Sequence, residues 1–331
     1  MNIIILVFVF ITFSLSVFSQ GNSVDLLLNE INQFEKDQQY DTCIALLVPL
    51  LKVYDENWFK ISKELIYLNE KTGNTENNLQ IFTKGHELGY FYFIHPALPK
   101  FKPYKAFAKF DTIVKTDIKL RENVIKKAET IYETQLPINY SETKIYPLCI
   151  IFHGGGSNLN SVKKHWHSDK LDSGYIKVYV QSFRHYDSET FGWRSGEKRT
   201  DEDIQKIYNE LNTKYKIDTT NIIVCGISAG GTCAIDLSVR QVIPVKGFIT
   251  FCSGISANIT LDFVKKQSGK LKGFIVGGEN DYYLPKQKQM TEIFDNTNFA
   301  YKHIIVKDIG HQYPDNENDY INEALKFFKN E

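Results

Sequence analysis

The pentapeptide Gly226-Ile227-Ser228-Ala229-Gly230 lies between an apolar run, Asn221-Ile222-Ile223-Val224-Cys225, and a small-residue stretch, Gly231-Thr232-Cys233-Ala234-Ile235. This order predicts a buried strand, a sharp turn and a helix. A serine at the tip of such a turn adopts a strained backbone, and the flanking glycines let strand and helix approach without Cβ clashes. Its hydroxyl then stands above the sheet, with the following backbone N–H groups directed at whatever it attacks. The pentapeptide is common by chance, so the remaining chain must supply a base, an acid and an oxyanion site.

The surrounding periodicity supplies the sheet. Glu129 to Leu136 alternates like a half-buried edge strand ending at Pro137. Lys144 to Phe152 is a continuous apolar run, as expected for the centre of a parallel sheet. Further strands are predicted at Tyr175–Val180, Val245–Phe251, Leu271–Val276 and His303–Val306, with an amphipathic helix over Asp203–Tyr215. Strands alternating with helices imply a doubly wound, mostly parallel α/β sheet. Chemistry in such sheets gathers at the carboxyl ends of the strands.

Those ends carry polar residues. His153-Gly154-Gly155-Gly156 follows the central strand, so the N–H groups of Gly154, Gly155 and Ala229 are candidate donors to an oxyanion formed at Ser228. His153 itself is read as a brace for that loop. Gly277-Gly278-Glu279-Asn280-Asp281 follows the Val276 strand, and Asp281 and Glu279 compete as the carboxylate that orients a histidine. Asp281 is preferred, because enzymes with such a serine turn usually place the acid after the glycine turn. Asp308-Ile309-Gly310-His311 follows the last strand and offers His311 as the base; its rival His303 starts that strand, at the opposite end.

Ser228, Asp281 and His311 in that order, preceded by His153-Gly154-Gly155-Gly156, resemble the α/β-hydrolase superfamily, and within it the compact esterase and phospholipase/carboxylesterase-like members. The resemblance covers about Ala128 to the C-terminus. It implies attack by Ser228, an acyl-enzyme, and hydrolysis by water activated by His311. It also implies a small-molecule ester as substrate and no cofactor. The first strands of the fold are poorly marked, so the sheet is expected to be shortened. Without a long insertion between sheet elements, no large lid is expected.

Candidate pocket residues lie after Val180. Phe191 and Trp193 are read as walls for an acyl or aromatic group, and Arg184 or Arg194 as a contact for an anionic one. Loop packing is the equal alternative. Tyr282, Tyr283 and Tyr313 are placed at the pocket rim. His165-Trp166-His167 is read as two histidines with no acidic companion, and no metal site is expected.

The 331-residue chain has room for more than this domain. Residues 1–19 form an apolar segment ending near Ser19, read as a signal peptide, with an uncleaved N-terminal anchor as the alternative. Either reading places the remainder outside the cytoplasm, with no stable membrane span after cleavage.

From Val24 to about Gly89 the spacing is helical: Leu27, Ile31 and Phe34; Ile44, Leu47, Val48 and Leu51; Phe59, Leu65 and Leu68; Leu79, Phe82 and Leu88. Breaks at 37–41 and 72–75 are separated by about thirty-four residues, so the segment resembles a degenerate tetratricopeptide repeat. Residues 21–114, including a proline-bearing connector at His95–Tyr104 and a short closing helix, form this helical module, and residues 125–331 the catalytic domain. The module is read either as a site for a protein partner or as a plain cover.

Lysine plus arginine (39) equals aspartate plus glutamate (39), so there is no electrostatic case for nucleic acid. The cysteines, Cys43, Cys149, Cys225, Cys233 and Cys252, are odd in number and fall mostly in strands or the turn helix, so free buried thiols are expected. The readings that compete with a serine esterase are a prolyl-oligopeptidase-like peptidase, an acyltransferase, and a binding protein on a retired hydrolase scaffold.

Overall fold

In the computed structural model, residues 23–52 and 56–330 are described, with side chains from Leu28 onward. The apolar leader, its cleavage point and the Leu27 side chain lie outside the described residues. The chain divides into two compact units, one up to Asn123 and one from Val124 onward.

The first unit is helical: α1 (Ser23–Lys36), α2 (Tyr40–Leu47), α3 (Trp58–Lys71) and α4 (Thr75–Glu87). Left-handed residues sit in both turns, Gln38 at φ 56° and Gly73 at φ 77°. The second expected stripe is interrupted. The α-helix gives way to a 3-10 turn over Val48–Lys52, and Val48 is left exposed. The His95–Tyr104 stretch is more than a connector. Its 3-10 turns, Pro99–Phe101 and Pro103–Ala106, bury Phe101 and Tyr104 beside Phe59, Phe82 and Phe110. The helix that follows, α5 (Phe110–Lys127), outruns the short one expected, continuing past Ile118 through the half-buried Leu120, Val124 and Ile125.

The second unit is a seven-stranded sheet in the order β1-β3-β2-β4-β5-β6-β7. The strands are β1 (Ile131–Gln135), β2 (Tyr146–Phe152), β3 (Ile176–Gln181), β4 (Ile217–Ile227), β5 (Gly247–Phe251), β6 (Lys272–Gly278) and β7 (Ala300–Val306). Only β1 runs antiparallel to its neighbour, and its residues alternate between exposed and half-buried, as suits an edge. Intervening helices are α6 (Leu159–Val162), α7 (Asp169–Gly174), α8 (Lys198–Lys214), α9 (Ser228–Arg240), α10 (Leu261–Gln267), α11 (Leu284–Asp295) and α12 (Glu317–Lys329).

The central strands are apolar throughout because both faces are covered. Leu148, Ile150, Phe152, Ile222 and Val224 pack on one side with Ile204, Ile207 and Leu211 of α8. Cys149, Ile151, Ile223 and Cys225 face the other, under Ile321, Leu325 and Phe328 of α12. From β2 the chain steps one way to β3, then returns past β2 to β4 and continues the other way. The carboxyl ends of β2 and β4, paired at Phe152 and Gly226, therefore frame the crevice where the sheet reverses direction.

Candidate active site

At the end of β4 the chain turns sharply into α9, and Ser228 adopts a left-handed φ of 54°. Two glycines make the turn possible. A Cβ on Gly226 would lie 2.6 Å from the Gly230 carbonyl carbon, and one on Gly230 only 2.2 Å from the His153 oxygen. Gly230→Ala is thus expected to destabilise the fold by about 3 kcal/mol or more, since backbone on both sides must move. A denaturant melt with an unshifted midpoint would contradict this.

His311 Nε2 stands 2.8 Å from Ser228 Oγ, and its Nδ1 stands 2.8 Å from Asp281 Oδ1. Nδ1–H donates to the carboxylate, which leaves Nε2 free to accept the serine proton. Asp281 is buried and also accepts from the Tyr283 N–H at 2.8 Å and the Gln287 side-chain amide at 3.3 Å. His303 is not a second base. It contacts Gln287 Oε1 at 3.1 Å, one residue behind the acid, and burial pushes its imidazole down. Glu279 is exposed and accepts from the Asp308 N–H at 3.2 Å, away from His311.

The acid and histidine loops are joined by backbone. Glu279 N–H donates to Val306 O and Asn280 N–H to Ile309 O. Gly278 permits this contact, because a Cβ there would meet the Gly310 oxygen at 2.4 Å.

The loop after β2 runs beside the turn. A Cβ on Gly154 would contact Ile227 and Ser228, and one on Gly155 would stand 3.3 Å from Ala229 Cβ. Ala229 lies in the first turn of α9, where N–H groups have no intrahelical acceptor. His153 braces this loop: its Nδ1–H donates to Gly154 O at 2.7 Å, and its Nε2 accepts from the Ser182 N–H at 3.3 Å.

Burial pushes the His153 imidazole from its ordinary 6.5 down to about 4, so it is neutral in the working fold. The unfolded chain binds this proton below pH 6.5 and the folded chain does not until about pH 4. Stability should therefore fall by about 3 kcal/mol from this residue as pH drops through that window. His185 and His303 are shifted in the same direction by burial and add to the slope. Thermal melts between pH 7 and 5 test this, with a shallower slope expected for His153→Gln; an equal slope would contradict the assignment.

Two of the expected pocket residues are committed elsewhere. Arg184 forks onto Glu197, through Nε to Oε2 at 3.1 Å and Nη2 to Oε1, so its charge is already paired. Trp193 is buried in the core, edge-on to Phe152, and its indole N–H donates to His153 O at 2.9 Å. Phe191 is half-buried, its ring 4.4 Å from His185 and 6.2 Å from His153. Arg194 is exposed.

Tyrosines surround the serine instead. Tyr186 lies over Gly155 and Gly192, where a Cβ on Gly192 would meet its ring at 2.1 Å. Tyr282 is 66% exposed and stacks on His311, the ring centroids 4.3 Å apart. Tyr283 meets the same imidazole edge-on at 5.3 Å. Tyr313 is not at the rim: it packs against Phe251, accepts from the Trp166 indole at 3.0 Å and stacks on His165. His165 and His167 do have acidic companions, a different one for each: Glu317, from the distant α12, and Asp172, only five residues on.

Residues 181–327 match the model of the dienelactone hydrolase family, a span that contains Ser228, Asp281 and His311. No curated protein sequence matches the chain. Among solved structures, it resembles an uncharacterized protein from Bacillus cereus ATCC 10987 at 23% identity and a TM-score of 0.52, covering 92% of this chain and 98% of that one. It also resembles an S-formylglutathione hydrolase from Agrobacterium tumefaciens at 12% identity and a TM-score of 0.50, covering 63% of this chain and 92% of that one. The chain is a serine hydrolase with the α/β-hydrolase fold.

Proposed function

We propose that the chain hydrolyses carboxylic esters of small molecules through an acyl-enzyme on Ser228. The observation that carries this reading is the hydrogen-bond chain from Asp281 through His311 to Ser228, with both links at 2.8 Å. His311 Nε2 takes the hydroxyl proton as Ser228 attacks the carbonyl, and returns it to the departing alkoxide. Asp281 holds the tautomer and stabilises the imidazolium. The N–H groups of Gly154, Gly155 and Ala229 receive the developing oxyanion, a charge that exists only once attack has begun. A water activated by the same imidazole then releases the acid. The family name supports ester chemistry, since a lactone is a cyclic ester. The apolar run within residues 1–19 supports export of this activity.

A p-nitrophenyl ester series, run beside peptide anilides and with added alcohol acceptors, tests the reading. Release of p-nitrophenol with free acid as the product is expected. Turnover of anilides alone would indicate a peptidase, and ester product in place of acid an acyltransferase. Turnover of neither class would return the chain to a binding role.

A further inference from the structure

Four of the five cysteines are surrounded as apolar side chains are: Cys43 in the helical unit, Cys149 and Cys225 in contact with each other at 3.5 Å, and Cys233 on the buried face of α9. Cys252 differs. It directly follows β5 in a left-handed conformation, φ 49°, and its Sγ donates to the Gln312 carbonyl at 3.3 Å. Its sulfur, a carboxylate oxygen of Asp281 and a ring nitrogen of His311 all lie within 4.8 Å of one another. Thiolate, carboxylate and imidazole form a ligand set that suits a tetrahedral, thiophilic divalent cation and rejects magnesium or calcium.

We propose that Cys252, Asp281 and His311 form an inhibitory site for a thiophilic divalent cation of the zinc class. The proposal rests on the assignment of His311 as base and concerns the regulation of that site.

Coordination would act through the tautomer. The cation replaces the Cys252 thiol proton, which leaves to solvent. To ligate through Nδ1, the imidazole moves its remaining proton to Nε2. Nε2 then donates to Ser228 and cannot take its proton, so attack stops while the carbonyl site stays open. Turnover number should therefore fall with KM little changed, and a chelator should restore it.

Two readouts test this on the full chain after treatment with EDTA. Zinc chloride should inhibit ester hydrolysis reversibly. Cys252→Ala should keep its basal turnover and need at least about tenfold more zinc for the same inhibition. Cadmium chloride, read by the ultraviolet thiolate-to-cadmium band, should report one bound thiolate in the native chain and in Cys233→Ala, and none in Cys252→Ala or Cys252→Ser. The cadmium band decides the site even if no ester is turned over. Equal zinc sensitivity of the native chain and Cys252→Ala, or a cadmium band unaffected by loss of Cys252, would overturn the proposal.

Discussion

Ser228→Ala is expected to lower ester turnover by about a million-fold, to the level supported by the oxyanion donors and binding alone. The magnitude follows from coupling: without Oγ the hydrogen bond to His311 Nε2 has no donor, and the imidazole has no proton to move. The fold should survive, because the strain at φ 54° belongs to the turn, and Gly226 and Gly230, which permit that turn, are untouched. Single-turnover and steady-state rates on the most reactive p-nitrophenyl ester, with a melt on the same sample, make the measurement. Retention of more than about one part in a thousand of the activity would mean that another group attacks the carbonyl.

Asp281→Asn is expected to cost about ten-thousand-fold in kcat, with little change in KM. An amide at this position can donate where the carboxylate accepts. It would therefore favour the tautomer with the proton on Nε2, and His311 would then face Ser228 as a donor. The buried setting enlarges the effect, since Asp281 also accepts from the Tyr283 N–H and the Gln287 amide. Glu279→Gln, which changes an exposed carboxylate bonded to the Asp308 N–H, should leave kcat within a few-fold. The reverse ranking of the two variants would overturn the choice of acid.

What could be read from the sequence was what depends on neighbouring residues. The strained serine needs glycines two positions to each side, and that spacing is local. Both-face burial writes β2 and β4 as unbroken apolar runs, and their carboxyl ends could be read directly. Position along the strand separated His311, which follows β7, from His303, which lies within it; Glu279 and Asp281 both follow β6, and only the resemblance favoured Asp281.

What could not be read was pairing across distance. Arg184 was an open charge until Glu197, 13 residues on, was seen to meet it, and Trp193 a pocket wall until its indole was found bonded to the His153 carbonyl, 40 residues away. Tyr186 carried no signal beyond its loop, because its place over Gly155 is set by the return of the chain at Gly192. The Phe101 and Tyr104 side chains looked like part of a connector because prolines hide helical periodicity. The thiol, carboxylate and imidazole that meet at Cys252, Asp281 and His311 come from three separate strand ends. No ligand motif with short spacing announces them.

The central claim is that Ser228 is the atom-bearing nucleophile of an ester hydrolase. Reaction with a fluorophosphonate, followed by intact mass and peptide mapping, tests it most directly. The account predicts one phosphonyl group per chain, on the peptide carrying Gly226 to Gly230, with none on Ser228→Ala and with ester turnover lost in proportion to labelling. A label on another residue, or full ester turnover in a chain labelled at Ser228, would contradict it.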